Sequence, residues 1–325
     1  MKATDSQSHV SEPNAIQRLR MFSIWVKNSP NLRKTWKSIC LANDLKDTLV
    51  GYDVATRWNS TYDMIERALE LKAQVTLFLE CQATYPRFTD GDWAFFQQVH
   101  KVLRKFKRMT EFVSQGVPTL SCAVPVYYAL HDTLHDAKDR VNAFSGLDRR
   151  ISRAADFGIQ KFEKYYNLMD TSDTIYTALI LDPRFKTKLL LKELEDKESE
   201  QLAYSPNEEE EQETGASLLI QHLRTKLHER YGSLSGRPLE SAERPTSPSA
   251  EFDEDDFVGH AIQRANDDKG KNPERSAESD IDMYLDSGNV DVKSTQNDWL
   301  CRWWRQNQDR YPQVSFKKKK KKSVC

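Results

Sequence analysis

Apolar positions recur every three to four residues through the first part of the chain, the spacing of amphipathic helices. Ile16, Leu19, Phe22, Ile24 and Trp25 form one stripe, and Leu32, Trp36, Ile39 and Cys40 a second, across a helical region from Ala15 to about Asn43. Asn28-Ser29-Pro30 divides the two, because proline disfavours helix in the residue before it. Tyr52 to Asn59 reads as extended. Ser60 then offers an N-cap with Asp63 in the first turn, where the helix dipole favours a carboxylate. Met64, Ile65, Ala68 and Leu69 line a helix running to about Cys81, and Tyr85-Pro86 ends that region.

Trp93 opens a long helix whose apolar face carries Phe96, Val99, Leu103, Phe106 and Val113. Gln115 to Thr119 breaks it. Helices over Val126 to Val141 and Ile151 to Tyr166 follow, the second with Phe157, Ile159, Phe162 and Tyr165. After Asp170-Thr171-Ser172-Asp173 comes Ile175 to Leu181, and Pro183 suits the first turn of another helix through Leu191. No segment alternates as a strand does. The expected fold is therefore all-α, with single apolar faces meeting as in a bundle.

The composition shifts from Glu195 onward. Glu208 to Glu211 is an acidic run, Leu218 to Tyr231 reads as one more helix, and 233–279 reads as a disordered acidic linker, rich in Ser, Pro and charge. Helical pattern resumes at Asp280 to Leu285 and at Trp299 to Tyr311, and the chain ends in Lys317 to Lys322. The expected organisation is a polar tail at 1–14, a helical domain at 15–232, the linker at 233–279, a short C-terminal segment at 280–315 and a lysine-rich tail at 316–325.

Across its 325 residues the chain is 38% hydrophobic and 30% charged, which fits a folded body plus a solvated part. Lys+Arg and Asp+Glu number 48 and 49, so net charge names no partner. No apolar run reaches the roughly eighteen residues of a membrane span, and the N-terminus lacks the apolar stretch of a secretory signal. Cys40, Cys81, Cys122, Cys301 and Cys325 are scattered and odd in number, as for reduced thiols.

Candidate chemistry is sparse. With 11 glycines and no glycine-rich loop, a phosphate-cradling turn is unsupported. His131 and His135 lie one helical turn apart, but no further ligand pattern accompanies them, so no metal site is assigned. Arg57-Trp58 offers a flat indole beside a guanidinium, able to stack on an unpaired base while the cation takes a phosphate. On residues alone, packing of Trp58 under the following helix is the favoured alternative. Trp299, Trp303 and Trp304 would place Trp299 and Trp303 on one helix face, for core packing or for a partner surface. The six lysines suit nucleic acid or nuclear import.

Four stretches in order resemble the hAT (hobo–Activator–Tam3) DNA transposases. They are QRLRMFSIWVKNSPNLRKTWKSIC, DVATRWNSTYDMIERALELK, ALILDPRFKTKLL, and DIDMYLDSGN followed by DWLCRWWRQNQDRYPQVS. The second is similar to the family's D..TRWNSTY.M signature and the third to its LDPR.K signature. The resemblance implies the helical insertion domain of an RNase H-like transposase, with a partial C-terminal dimerisation segment. It implies that Arg57 and Trp58 contact DNA and that Trp299, Trp303 and Trp304 belong to a self-association interface left without its usual cover. Nuclear localisation follows from the same likeness.

The family cuts DNA with two divalent metals held by two aspartates and a glutamate. None of these lies in the matched segments, and no SER.FS stretch follows the WW…YP region. The expectation is a catalytically inactive transposase-derived protein with no cofactor, binding DNA and itself. A helical protein-interaction module and an incomplete gene model of an active transposase stand as alternatives.

Overall fold

The computed structural model describes residues 13–54, 57–114, 120–170, 173–194, 215–231, 256–266, 279–290, 299–312 and 314. The expected lysine-rich tail, most of the expected N-terminal tail and Thr56 of the TRWN signature lie outside them. Among the described residues there is helix and turn and no strand. The chain divides into two compact units, Met1–Glu111 with Thr133–Ile159, and Phe112–Asp132 with Gln160–Cys325. This differs from the expected single helical domain at 15–232, because the C-terminal segment shares its core with residues 176–227.

The first unit is built on α1 (Ala15–Asn28), α2 (Pro30–Ala42), α3 (Trp58–Glu70), α4 (Lys72–Glu80) and most of α5 (Asp90–Val113). Asn14 starts α1 with a capping box to Gln17, and Ser29 caps α2 with Pro30 in its first turn. These satisfy amide donors that a helix end leaves without an intrahelical partner. Phe22 is the aromatic hub, its ring centroid 5.7–6.5 Å from those of Trp25, Trp36, Phe78, Tyr85 and Phe88. Leu19, Phe22, Val26, Trp36, Ile65, Ala68, Val75 and Phe78 are buried, each large side chain contributing about 1.5–3 kcal/mol by leaving water.

Asp53 ties this core to the start of α3. Its side chain is fully enclosed. It accepts from Arg20 Nε at 2.8 Å, from Ser60 Oγ at 2.6 Å and from Thr61 Oγ1 at 2.9 Å. Burial pushes its carboxyl up, but the hydrogen bonds from Ser60, Arg20 and Thr61 outweigh this and hold it below the usual value. Helix α3 starts at Trp58, two residues before the expected Ser60 cap. Ser60 is drawn to Asp53, and Asp63 pairs with Lys107 of α5 at 3.0 Å. The expected single helix to Cys81 is divided at Leu71, between α3 and α4.

The buried face of α5 is Trp93, Phe95, Phe96, Val102 and Met109, whereas Val113 is exposed. In α7 (Arg149–Asp170), Ile151, Ala155 and Ile159 face inward and Phe157 is 71% exposed. At about 100° per residue, Phe157 stands about 200° from Ala155, on the opposite side. Tyr165, expected on the apolar face, is exposed as well.

The second unit gathers part of α6 (Ala123–Asp139) and of α7 with α8 (Asp173–Ile180), α9 (Gly215–Tyr231), α10 (Phe257–Asn266), α11 (Asp280–Asp286) and α12 (Trp299–Gln306). Its core joins Tyr176, Leu179, Ile180, Phe185, Leu223, Leu227, Ile262, Tyr284 and Tyr311. Helix α10 falls inside the stretch expected to be a disordered linker. Val258, Ala261, Ile262 and Ala265 give it a buried face. That short apolar repeat is diluted in an average over the polar residues around it.

Pro183 sits in a turn, and helix resumes only at 188. This turn is the knot of the unit. Asp182 is wholly buried and accepts from Arg184 Nε at 2.8 Å, from Arg184 Nη2 at 2.6 Å and from Ser121 Oγ at 2.7 Å. Lys186 takes a left-handed φ of 48°, a conformation disfavoured for a residue with a Cβ. Its Nζ, with three N–H groups when charged, is shared among four acceptors: Tyr284 O at 2.7 Å, Ser287 O at 2.8 Å, Ser287 Oγ at 2.6 Å and Gly288 O at 3.0 Å. The cation thus closes the end of α11, where carbonyls lack intrahelical donors. Val290 N donates to Pro183 O at 2.8 Å and Tyr284 Oη to Ile180 O at 2.9 Å, completing the join.

Two outcomes follow for stability. Asp53→Ala leaves Arg20, Ser60 and Thr61 without their shared acceptor and is expected to cost about 3 kcal/mol in urea unfolding near neutral pH. Because the folded carboxyl lies below its usual value of 3.8, its contribution is present above that pH and lost as pH falls through the folded value. The variant's stability is therefore flatter on the acid side than the wild type's. Burial, then Arg310 and Lys188, pull the Lys186 ammonium down from 10.5 to about 7. Between those values the unfolded chain binds the proton and the folded chain releases it, so this group makes stability rise with pH. Lys186→Met is expected to remove that rise in urea melts taken across the same window.

Candidate nucleic-acid interface

The DVATRWNSTY segment separates into an inner and an outer half. Asp53, Ser60 and Thr61 face one another and Arg20. Arg57 and Trp58 stand outside, the guanidinium exposed and the indole 40% exposed. Backbone bonds hold them: Arg57 N donates to Val54 O at 2.8 Å, and Arg57 O accepts from Ser60 N at 2.9 Å. Trp58 leans one edge on Phe106 of α5, with centroids 6.1 Å apart and planes at 72°. The ring is braced and still partly open to solvent. Base stacking requires an indole set firmly with its surface open. No side chain caps the first turn of α3, and the positive end of a helix favours an anion there.

Tyr52, directly before the inner half, is also exposed at 52%. Lys27 Nζ lies 3.5 Å from its ring centroid, within the range of a cation–π contact. Sequence reading did not single out either residue. An aromatic next to the signature was visible, but the approach of Lys27 depends on how α1 packs.

Trp299, Trp303 and Trp304 are all half-buried. Trp303 and Trp304 are partly covered within their own unit. They pack with Tyr284 and Tyr311, and Trp304 Nε1 donates to Leu181 O at 3.1 Å. Arg184 lies over the Trp299 ring at 5.3 Å. The aromatic residues of the C-terminal segment thus complete a core in their own unit.

The described residues do not fit the metal pair that the resemblance brings with it. Asp53 is taken by Arg20, Asp92 by Arg18, Asp182 by Arg184 and Glu193 by Arg264. A carboxylate that is enclosed and paired with an arginine has its charge met inside the fold and is poorly placed to share a divalent cation. No group of three His, Cys, Asp or Glu among the described residues could hold a metal ion, and that covers His131 and His135. Among the same residues no helix is long and apolar enough to cross a membrane.

The ZBED1 RNase-like helical domain matches residues 9–102, the stretch that contains the whole of the Arg57–Trp58 segment. Over 91% of its length the chain is 24% identical to a protein described as an AC transposase in Zea mays, covering 35% of it. Over 83% it is 25% identical to the zinc finger BED domain-containing protein DAYSLEEPER of Arabidopsis thaliana, covering 34%. RICESLEEPER 1 of Oryza sativa subsp. japonica is 22% identical over 92% of the chain, with 40% of that protein covered. The chain spans between a third and two-fifths of the length of these relatives. A helical domain of this type is matched at residues 9–102, and similarity to transposase and BED zinc-finger proteins runs along most of the chain.

Proposed function

We propose that this hAT-derived protein binds DNA through Arg57 and Trp58 and does not itself cut it. The observation that carries the reading is the division of one short segment. Its carboxylate is spent inside the fold, while its guanidinium and indole are left at the surface, side by side and braced. A rigid, open indole next to a cation suits a base that has left the helix, with its phosphate on the arginine. Absence of cutting is supported by the arginine pairing of the enclosed carboxylates. The reading places no self-association on Trp303 and Trp304, whose rings are engaged within their own unit. A nuclear location goes with a DNA ligand.

The test is fluorescence anisotropy of the full chain with a labelled hairpin DNA carrying an unpaired flap, across a salt series. Trp58→Ala is expected to weaken binding by roughly thirtyfold, at the centre of the range for losing one stacked base. Arg57→Ala is expected to weaken it and to lower the salt slope by about 0.7–0.9, the share of one phosphate contact. Salt-independent binding, or wild-type affinity in both variants, defeats the proposal and favours a helical protein-interaction module.

A further inference from the structure

Helices α1 and α2 carry Arg18, Arg20, Lys27, Arg33, Lys34 and Lys37 and no acidic residue. Two of these cations are committed, Arg18 to Asp92 and Arg20 to Asp53. The other four are exposed. Arg33 Nη1 donates to Lys27 O at 2.8 Å, holding the start of α2 to the end of α1. Lys27 in turn stands over the half-exposed Tyr52 ring. The result is an aromatic surface flanked by uncompensated positive charge, the combination that binds single strands without sequence preference. Asp44 and Asp47 lie beyond the end of α2, in a loop that also holds Lys46.

Tyr52 and Trp58 bracket Asp53, which is the only carboxylate between them. Asp53 is turned inward, enclosed and paired, so it presents no charge to a strand passing outside. Its bonds to Ser60 and Thr61 draw residue 53 to the start of α3. Even a fully extended chain could separate Tyr52 from Trp58 by no more than about 22 Å, within reach of a few unstacked nucleotides.

We propose that Tyr52 is a second seat for the same unpaired DNA strand, taking a base on its ring while Lys27, Arg33, Lys34 and Lys37 take the flanking phosphates. The proposal rests on the Arg57–Trp58 reading for the identity of the ligand and adds the direction in which the strand leaves that pair. Charge complementarity selects the occupant: a cationic, acid-free pair of helices beside a half-exposed ring, one face of it met by Lys27, suits a phosphate backbone.

The experiment uses the full chain and fluorescein-labelled oligo(dT) of about 12 and about 4 nucleotides, lengths within and at the lower edge of usual single-strand site sizes. Tyr52→Ala is expected to weaken the longer oligonucleotide roughly tenfold and the shorter one far less. Lys34→Ala with Lys37→Ala is expected to lower the salt slope by about 1.4, two single-strand phosphates at 0.7 each. In the wild type, an oligo(dT) carrying 5-iododeoxyuridine is expected to crosslink to Tyr52 on irradiation, read by mass spectrometry, which needs no substitution to fold. Wild-type binding by Tyr52→Ala and by the lysine pair, with no crosslink at Tyr52 but a loss in Trp58→Ala, overturns the second seat and leaves the first. Loss in Tyr52→Ala with none in Trp58→Ala supports the second seat and removes the first. No binding by the wild type overturns both.

Discussion

A carboxylate removed from water must be met by donors, and the first unit is arranged around one such meeting. Asp53 arrives on an irregular segment and finds Arg20 on α1 and two hydroxyls at the start of α3. Leaving it unmatched would cost several kcal/mol, so the three elements are held in one register. That register decides which neighbours of Asp53 face outward. Arg57 and Trp58 are at the surface because the residues on either side of them are anchored inside.

The second unit solves the same problem with the opposite charge. Lys186 is buried, and its acceptors are carbonyls at the end of α11 together with one hydroxyl. A neutral amine has two N–H groups and an ammonium three, so the oxygen cage favours the charged form while burial disfavours it. The consequence is architectural. Residues about a hundred positions apart in sequence are fastened by one side chain, and α11 becomes part of the core rather than an appendage. The LDPRFK signature is in this sense a clasp, with Asp182 and Arg184 satisfying each other and Lys186 reaching across.

Both charged clusters bear on chemistry. Carboxylates that neutralise arginines inside a fold are unsuited to sharing a divalent cation, whereas cations and aromatic rings at the surface are suited to a polyanion with open bases. The surface offering them lies on the first unit, on α1, α2 and the start of α3, within and beside the signature segment.

The helical class, the break at Pro30, the family likeness and the prominence of Arg57-Trp58 were all legible in the chain, because periodicity and short motifs are local properties. Helix starts were less so: α3 begins at Trp58 because Ser60 serves Asp53 instead of capping. The apolar face of α7 was misplaced because composition counts Phe157 as core, while the helical phase turns it to solvent. Helix α10 escaped notice because four small or aliphatic residues carry little weight among many polar ones. Local pattern was enough to say which residues form most of the helices and that Arg57 and Trp58 stand apart from ordinary core positions. Tertiary structure alone decided that Trp303 and Trp304 turn inward, that Lys186 clasps α11, and that Lys27 stands over Tyr52. Those outcomes depend on pairing groups far apart in the chain, and no local pattern encodes the distance between them.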